Sequence, residues 1–225
     1  MDENKQVYKL SWETLKQDWP IWIFLAGLLA LSIMLYPHLP AKVPVHWNIH
    51  GQIDRYTTKQ IGTFMMLGVT AGMYLMFLLL PLIDPKRENY ARFAGAYRLF
   101  RWVFVIFMGS MHVAILMVAL GYHLDISILV KAGVSILFLV IGNFMGQIRY
   151  NYFVGVKTPW TLSNEDVWQQ THRFAAKIWV ICSLVCLAMS PFQAVWSAWI
   201  FFASVAVMAI GPIAYSYVAY RRVVG

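Results

Sequence analysis

A chain of 225 residues that is 60% hydrophobic, 12% charged and of mean hydropathy +0.60 has too little polar surface to wrap a core in water, which excludes a water-soluble domain. Its formal net charge of +8 would suit a nucleic-acid binder. However, the basic residues are scattered over several short segments beside apolar runs, with no binding fold to organise them, so no direct nucleic-acid partner is expected.

Apolar segments run in chain order over 21–36, 61–83, 100–122, 126–146, 175–189 and 194–218. Each is read as a transmembrane helix, which predicts an all-α, polytopic integral membrane protein with six spans. Residues 1–20 are expected to form a cytoplasmic interfacial segment. Residues 21–122 form a first three-span region with a 24-residue external loop at 37–60, and 123–225 a second with a cytoplasmic loop at 147–174. The first twenty residues are polar rather than a basic start running into an apolar stretch, so the first span is expected to stay in the mature protein. Sixteen residues of the first span cover only about 24 Å, so it must recruit its flanks, where Trp19, Trp22 and Tyr36 suit the interface.

Lys and Arg set the orientation. Fourteen of them fall in the N-terminal segment, the second and fourth loops and the tail, against Lys42, Arg55 and Lys59 on the other side, with Lys131 left inside a span. That bias places both termini in the cytoplasm of a bacterial-type plasma membrane. Tyr8, Trp12, Leu15 and Trp19 recur at helical spacing before Pro20 and predict an interfacial helix. Asp84 and Pro85 predict a second helix start, with a Tyr90, Phe93, Tyr97 and Phe100 stripe running into the third span and basic residues able to attract anionic membrane lipid.

The external loop opens with Pro37, Pro40 and Pro44, then places Gly51 between two runs that can pair as a hairpin. His46, His50 and Asp54 stand at intervals of four, but Gly51 and the prolines argue against the helix that would align them. A folded loop can still gather three such ligands. With no HExxH or paired-cysteine pattern beside them, their expected role is hydrogen bonding within the loop, and neither metal nor cofactor is expected.

Pro40, Pro44, His46, Trp47, Asn48, Gly51, Asp54 and Lys59 resemble the HWN...G..D signature of a small membrane domain of unknown function that often precedes immunity-protein modules. The run from Gly142 to Arg173, GNFMGQIRYNYFVGVKTPWTLSNEDVWQQTHR, resembles the signature of the SdpI family, membrane proteins associated with immunity to secreted peptide toxins. Lys157 stands where many relatives have Arg, which removes a planar bidentate donor. The resemblance implies protection against a secreted peptide toxin, and signalling to a cytoplasmic transcriptional repressor.

The residues themselves point to the same cytoplasmic stretch. Asn143 and Arg149 end the fourth span, the chain turns at Gly155 and Pro159, and Ser163 with Asp166 reads as a capping box for a helix carrying Trp168, Thr171 and His172. With Thr158 and Arg173 added as positions that the SdpI resemblance implies, Asn143, Arg149, Asn151, Lys157, Thr158, Trp160, Trp168, His172 and Arg173 are the candidate ligand-binding residues, and His46, Asn48, Gly51 and Asp54, from the HWN...G..D resemblance, the external candidates. The plainer alternative is that they staple the loop to the bundle. His112 near the midplane suits a packing histidine, Gly68xxxGly72 and Gly142xxxGly146 suit close helix packing, and Cys182 with Cys186 suits two packed thiols. No catalytic signature is present, so an enzyme is not expected. The rival readings are a small-molecule or lipid transporter using His112 and a metal-dependent hydrolase using the external loop.

The orientation has a direct test. In a variant lacking Cys182 and Cys186, a cysteine replacing His50 is expected to react with an impermeant thiol reagent added to intact cells, and one replacing Arg92 is not. The opposite pattern would invert every loop.

Overall fold

The computed structural model describes residues 8–225, so the first seven positions of the N-terminal segment, Lys5 included, lie outside the described residues. Among the described residues six helices are long and apolar enough to cross a membrane. They are α2 (Trp19–Leu35), α3 (Lys59–Ile83), α4 (Ala94–Ala119), α5 (Ile126–Met145), α7 (Glu165–Met189) and α8 (Val195–Val223). Two short helices, α1 (Trp12–Gln17) and α6 (Pro159–Ser163), lie at the end that the charge bias assigns to the cytoplasm, and the loop that it assigns to the outside folds as strands β1 (Lys42–Trp47) and β2 (Ile53–Thr58); the two ends are called cytoplasmic and external on that assignment. The protein is thus an all-α membrane bundle with one external hairpin.

The first span reaches across by recruiting both flanks. Pro20 occupies the first turn of α2, where its missing N–H costs nothing, and a 3-10 turn over Tyr36–His38 extends the rod to 20 residues, about 30 Å. Trp19 and Trp22 stay exposed at its cytoplasmic end, as interfacial anchors should. The stripe expected to lie flat at the headgroups divides instead. Trp12 and Trp19 face outward, while Tyr8 sits 6.2 Å from the Tyr90 ring and Leu15 packs beside Ile21 and Tyr74.

The segment after α3 also turns inward. Asp84 caps the end of α3 instead of opening a helix, a 3-10 helix covers Arg87–Phe93, and α4 begins at Ala94. Tyr90, Phe93 and Tyr97 are buried in a cluster with Met145, Ile148, Tyr150 and Trp168. Burial of these rings between the two halves outweighs their affinity for the headgroups, because each large aromatic removes 150–250 Å² from contact with water or lipid.

The hairpin is antiparallel, with Val43 opposite Thr57 and an irregular register on either side of His46. Val43 is fully buried against Gly62, where a Cβ would come within 2.4 Å of it, so the hairpin is pinned to the start of α3. At the tip, Asn48 Oδ1 accepts the His50 and Gln52 N–H groups and Gly51 takes φ +74, a turn for which glycine is the natural residue.

Of the two glycine pairs, Gly142 meets the backbone of α7, with a Cβ position 2.7 Å from Trp179 Cβ. Gly68 and Gly72 have nothing within 4 Å, so that pair packs no helix among the described residues. His112 is fully buried with Nε2 2.8 Å from Ser32 Oγ, tying α4 to α2. Cys182 and Cys186 are free thiols.

A buried ion pair joins the first three spans. Asp18, fully enclosed, receives Arg101 Nη2 at 2.7 Å, the Tyr74 hydroxyl at 2.8 Å and the Trp102 indole N–H at 2.8 Å. Removing one partner of such a pair strands the other, at a cost of about 3–5 kcal/mol. Asp18→Ala is expected to lower the melting temperature of the detergent-purified protein sharply, and Asp18→Leu with Arg101→Met to recover much of that loss. Equal melting of wild type and Asp18→Ala would remove the pair from the fold's foundations.

Candidate functional site

After α5 ends at Met145, residues 146–158 cross the cytoplasmic face and are held almost entirely through buried side chains. Asn151, fully buried, donates to the Arg149 and Val154 carbonyls and accepts the Phe153 and Val154 N–H groups on Oδ1. Its hydrogen-bonding capacity is thereby filled by the loop's own backbone. Asp84, also buried, accepts the Tyr152 and Lys86 N–H groups and the Tyr90 hydroxyl, which ties this loop to the one between α3 and α4. Asn89 adds a 2.8 Å bond to the Tyr150 carbonyl. The Tyr150 hydroxyl donates to the Leu162 carbonyl at 2.7 Å, and its proximity to the Tyr152 hydroxyl, with burial, pushes its pKa up to about 12.

His172 closes the loop onto α7. Its Nδ1 lies 2.8 Å from the Trp168 carbonyl and must donate there, leaving Nε2 to accept the Val156 N–H at 3.0 Å. The ring stacks on Trp168 with centroids 4.1 Å apart, and the Trp168 indole donates to the Ile148 carbonyl. Gly155 passes over that imidazole with φ +118, and a Cβ there would stand 2.3 Å from Nε2. Glycine is required twice over, by backbone conformation and by space.

The next turn is capped differently from expectation. The capping box belongs to Thr158 and Thr161 at the start of α6, and Thr158 Oγ1 also reaches Ser216 of α8 at 3.0 Å. α7 is capped by Asn164, whose Oδ1 accepts the Asp166 and Val167 N–H groups, while Ser163 bonds back to the Trp160 carbonyl. Asn is as strong an N-cap as Ser, and Pro159 displaces Ser163 into the end of the preceding turn.

The nine candidate residues therefore separate by role of position. Asn151, Thr158, Trp168 and His172 are buried fasteners, and Trp160 is half-buried 5.1 Å from the Tyr217 ring of α8. Asn143, Lys157 and Arg173 are exposed, and Arg149 is partly buried with its Nε enclosed and without a hydrogen-bond partner. Lys157 reaches back to the Phe153 carbonyl at 3.1 Å. They do not converge on one open pocket. What the loop does enclose is an apolar cavity of about 350 Å³ between α3, α4, α5 and α7, walled by Phe77, Phe100, Phe144 and Trp179 and floored by residues 153–156. Asp84 and Tyr90 join the site although their local sequence marks them otherwise, since Asp-Pro reads as a helix start and a tyrosine in an aromatic stripe reads as an anchor.

On the external face, His46 Nδ1 pairs with Asp54 Oδ1 at 2.6 Å across the hairpin. His50 stays apart from them in the turn, and among the described residues no group of three or more His, Cys, Asp or Glu side chains is gathered as a metal site would need.

Residues 147–216 match the model of the SdpI/YfhL protein family, and residues 23–71 match a domain of unknown function, DUF1648. The chain is 28% identical over 161 residues to "Immunity protein SdpI" of Bacillus subtilis (strain 168), an alignment covering 72% of this chain and 75% of that protein. No solved structure matches it.

The Gly155 crossing yields a double-mutant test. Gly155→Ala is expected to destabilise the protein by at least about 1–3 kcal/mol from backbone strain alone, read as a lowered melting temperature. His172→Ala is expected to destabilise by leaving the Val156 N–H unpaired, yet the double variant should be less damaged than the sum, since the collision is gone. Strict additivity would show that the two residues do not meet.

Proposed function

We propose that this multi-pass membrane protein, which carries an SdpI/YfhL-family segment with a DUF1648 domain ahead of it, is an immunity protein that shields its cell from a secreted peptide toxin. The observation that carries the reading is the 28% identity to an immunity protein over 161 residues, nearly three quarters of each chain. The same relationship supports a non-enzymatic role, protection by binding or excluding the toxin at the membrane.

The finer reading assigns the cytoplasmic signature segment a part in the output. Its fasteners fix the loop, and Arg149, Lys157 and Arg173 are left as cations on the face that the charge distribution assigns to the cytoplasm, available to an acidic surface such as that of a transcriptional repressor. Charge-assisted bonds from one such residue contribute about 1.5–3 kcal/mol, so its removal lowers affinity roughly ten- to hundredfold.

The test is survival. Toxin-sensitive cells expressing the chain are expected to grow at toxin doses that kill cells with an empty vector. Arg149→Ala with Lys157→Ala should accumulate in the membrane at wild-type level, because residues beyond a span add little to its insertion energy, and should lose protection or repressor-dependent transcription. Death of cells that carry full membrane levels of the wild-type chain would refute the immunity reading. Full protection and full signalling by the double variant would move the output away from this segment.

A further inference from the structure

Lys131 is a cation the cytoplasmic site does not use. It lies five residues into α5, roughly 7.5 Å along the axis from the external end of that helix, and is 7% exposed. Its Nζ bonds to the Phe192 carbonyl at 2.5 Å and the Ser197 hydroxyl at 3.2 Å, both neutral acceptors, and no carboxylate among the described residues lies within ion-pair distance. Asp125, the acid nearest in sequence, caps α5 through the Ile128 N–H and bonds to Gln193. A buried ammonium with only neutral partners holds an unbalanced charge, and an ionisable group inside a span points to a ligand.

That charge opens onto a groove. Hairpin residues His46, Trp47, Asn48 and Ile49 form one wall, and Ile126, Ser127 and Val130 of α5 with Ala198, Phe201 and Phe202 of α8 form the others. The hairpin tip leans on α5, with the Cβ position of Gly51 3.7 Å from Ser127 Cβ. Val130 and Phe202 are exposed on the membrane-facing side, so the groove can be entered from the outer leaflet. The Trp47 indole N–H and the Ser127 hydroxyl line the rim, and neither makes a hydrogen bond among the described residues.

We propose that this groove binds the carboxylate end of an apolar peptide, with the carboxylate at Lys131. A single occupant then satisfies three features together: an anion balances the ammonium, apolar side chains cover the Phe201 and Ile126 walls, and the peptide's own amide groups meet Trp47 and Ser127. A phospholipid meets that rim with phosphate and ester oxygens that only accept, whereas a peptide brings N–H donors as well as carbonyl acceptors, so that Ser127 Oγ can accept as well as donate; this favours a peptide over a phospholipid. The inference rests on the immunity reading only in identifying this ligand with the toxin, and it places toxin capture on the external side, away from the cytoplasmic signature.

The full-length protein in phosphatidylcholine nanodiscs tests it, with a dye-labelled hexapeptide of leucine, phenylalanine and alanine as probe, carrying either a free carboxylate or a C-terminal amide. The carboxylate form is expected to bind at least tenfold more tightly than the amide. Lys131→Met should erase that difference, and Lys131→Arg should keep most of it. Val130→Trp, which fills the groove from an exposed position and leaves Lys131 in place, should abolish binding of both forms; it decides the matter if Lys131→Met fails to fold. Equal binding of the two forms to wild type, a difference that survives Lys131→Met, or full competition by phosphatidylglycerol added to the discs would each overturn the proposal. Protection of cells that persists in Lys131→Met and Val130→Trp overturns this site and leaves the immunity reading standing. Carboxylate discrimination in nanodiscs with no protection in cells upholds the site and counts against that reading.

Discussion

Asp18 is an enclosed carboxylate at the boundary of a medium that offers no water, and everything around it is arranged to supply what water would have supplied. Three donors from α3 and α4 converge on its two oxygens, so the entry of the first span cannot shift without breaking bonds to the next two. Isolated charges in hydrocarbon are costly enough to be rare, and here both carboxylate oxygens are answered while Arg101 Nε alone stays enclosed without a partner. The ring of Tyr97 beneath Arg101, 5.3 Å from its guanidinium carbon, completes the enclosure by a cation-π contact.

The same requirement recurs at Asp84, Asn151 and His172, and together they explain why the cytoplasmic half behaves as one block. Each of these side chains binds backbone groups of a segment that is not helical, and irregular backbone near the membrane survives only where something in the protein answers it. The aromatic cluster around Tyr90 and Trp168 fills the space between these fastenings, so the signature segment is pinned at many points, with Lys157 and Arg173 turned out and Arg149 partly enclosed. Residues that hold the loop and residues that can meet a partner are thus different members of the same motif.

How much of this was legible in the sequence depended on whether the signal was local. The six spans, the hairpin about Gly51 and the turn at Gly155 follow from hydropathy and from glycine's access to positive φ, and these were readable from short windows. The inward turn of Tyr90 and Tyr97 was not, because an aromatic stripe at helical spacing has the same pattern whether it meets headgroups or another helix. Nor was the pairing of Asp18 with Arg101, which stand 83 positions apart and which a charge count enters only as one acid and one more cytoplasmic cation. For the candidate site, the motif marked the right segment but could not separate a saturated side chain such as Asn151 from an available one such as Lys157. That distinction lies in hydrogen-bond partners, which no spacing encodes.

The two faces of the protein differ in how their charges are balanced. In the cytoplasmic half the enclosed carboxylates Asp18 and Asp84 receive a guanidinium, hydroxyls, an indole or backbone amides, so among the described residues no enclosed acid lacks donors. On the external side the enclosed charge among the described residues is an ammonium held by neutral oxygens only. A lysine so near the end of a helix could snorkel to water with its flexible stem, as lysines at membrane boundaries do. Lys131 instead stays 7% exposed, held by the α7–α8 connection under the hairpin, so its charge acts in a confined region of low dielectric, where attraction for an anion is strongest. A fixed, partly desolvated cation of this kind discriminates an anionic group from a neutral one far better than the solvated Lys42 or Arg55 of the same face can, and selectivity among amphipathic molecules arriving from outside follows from that difference.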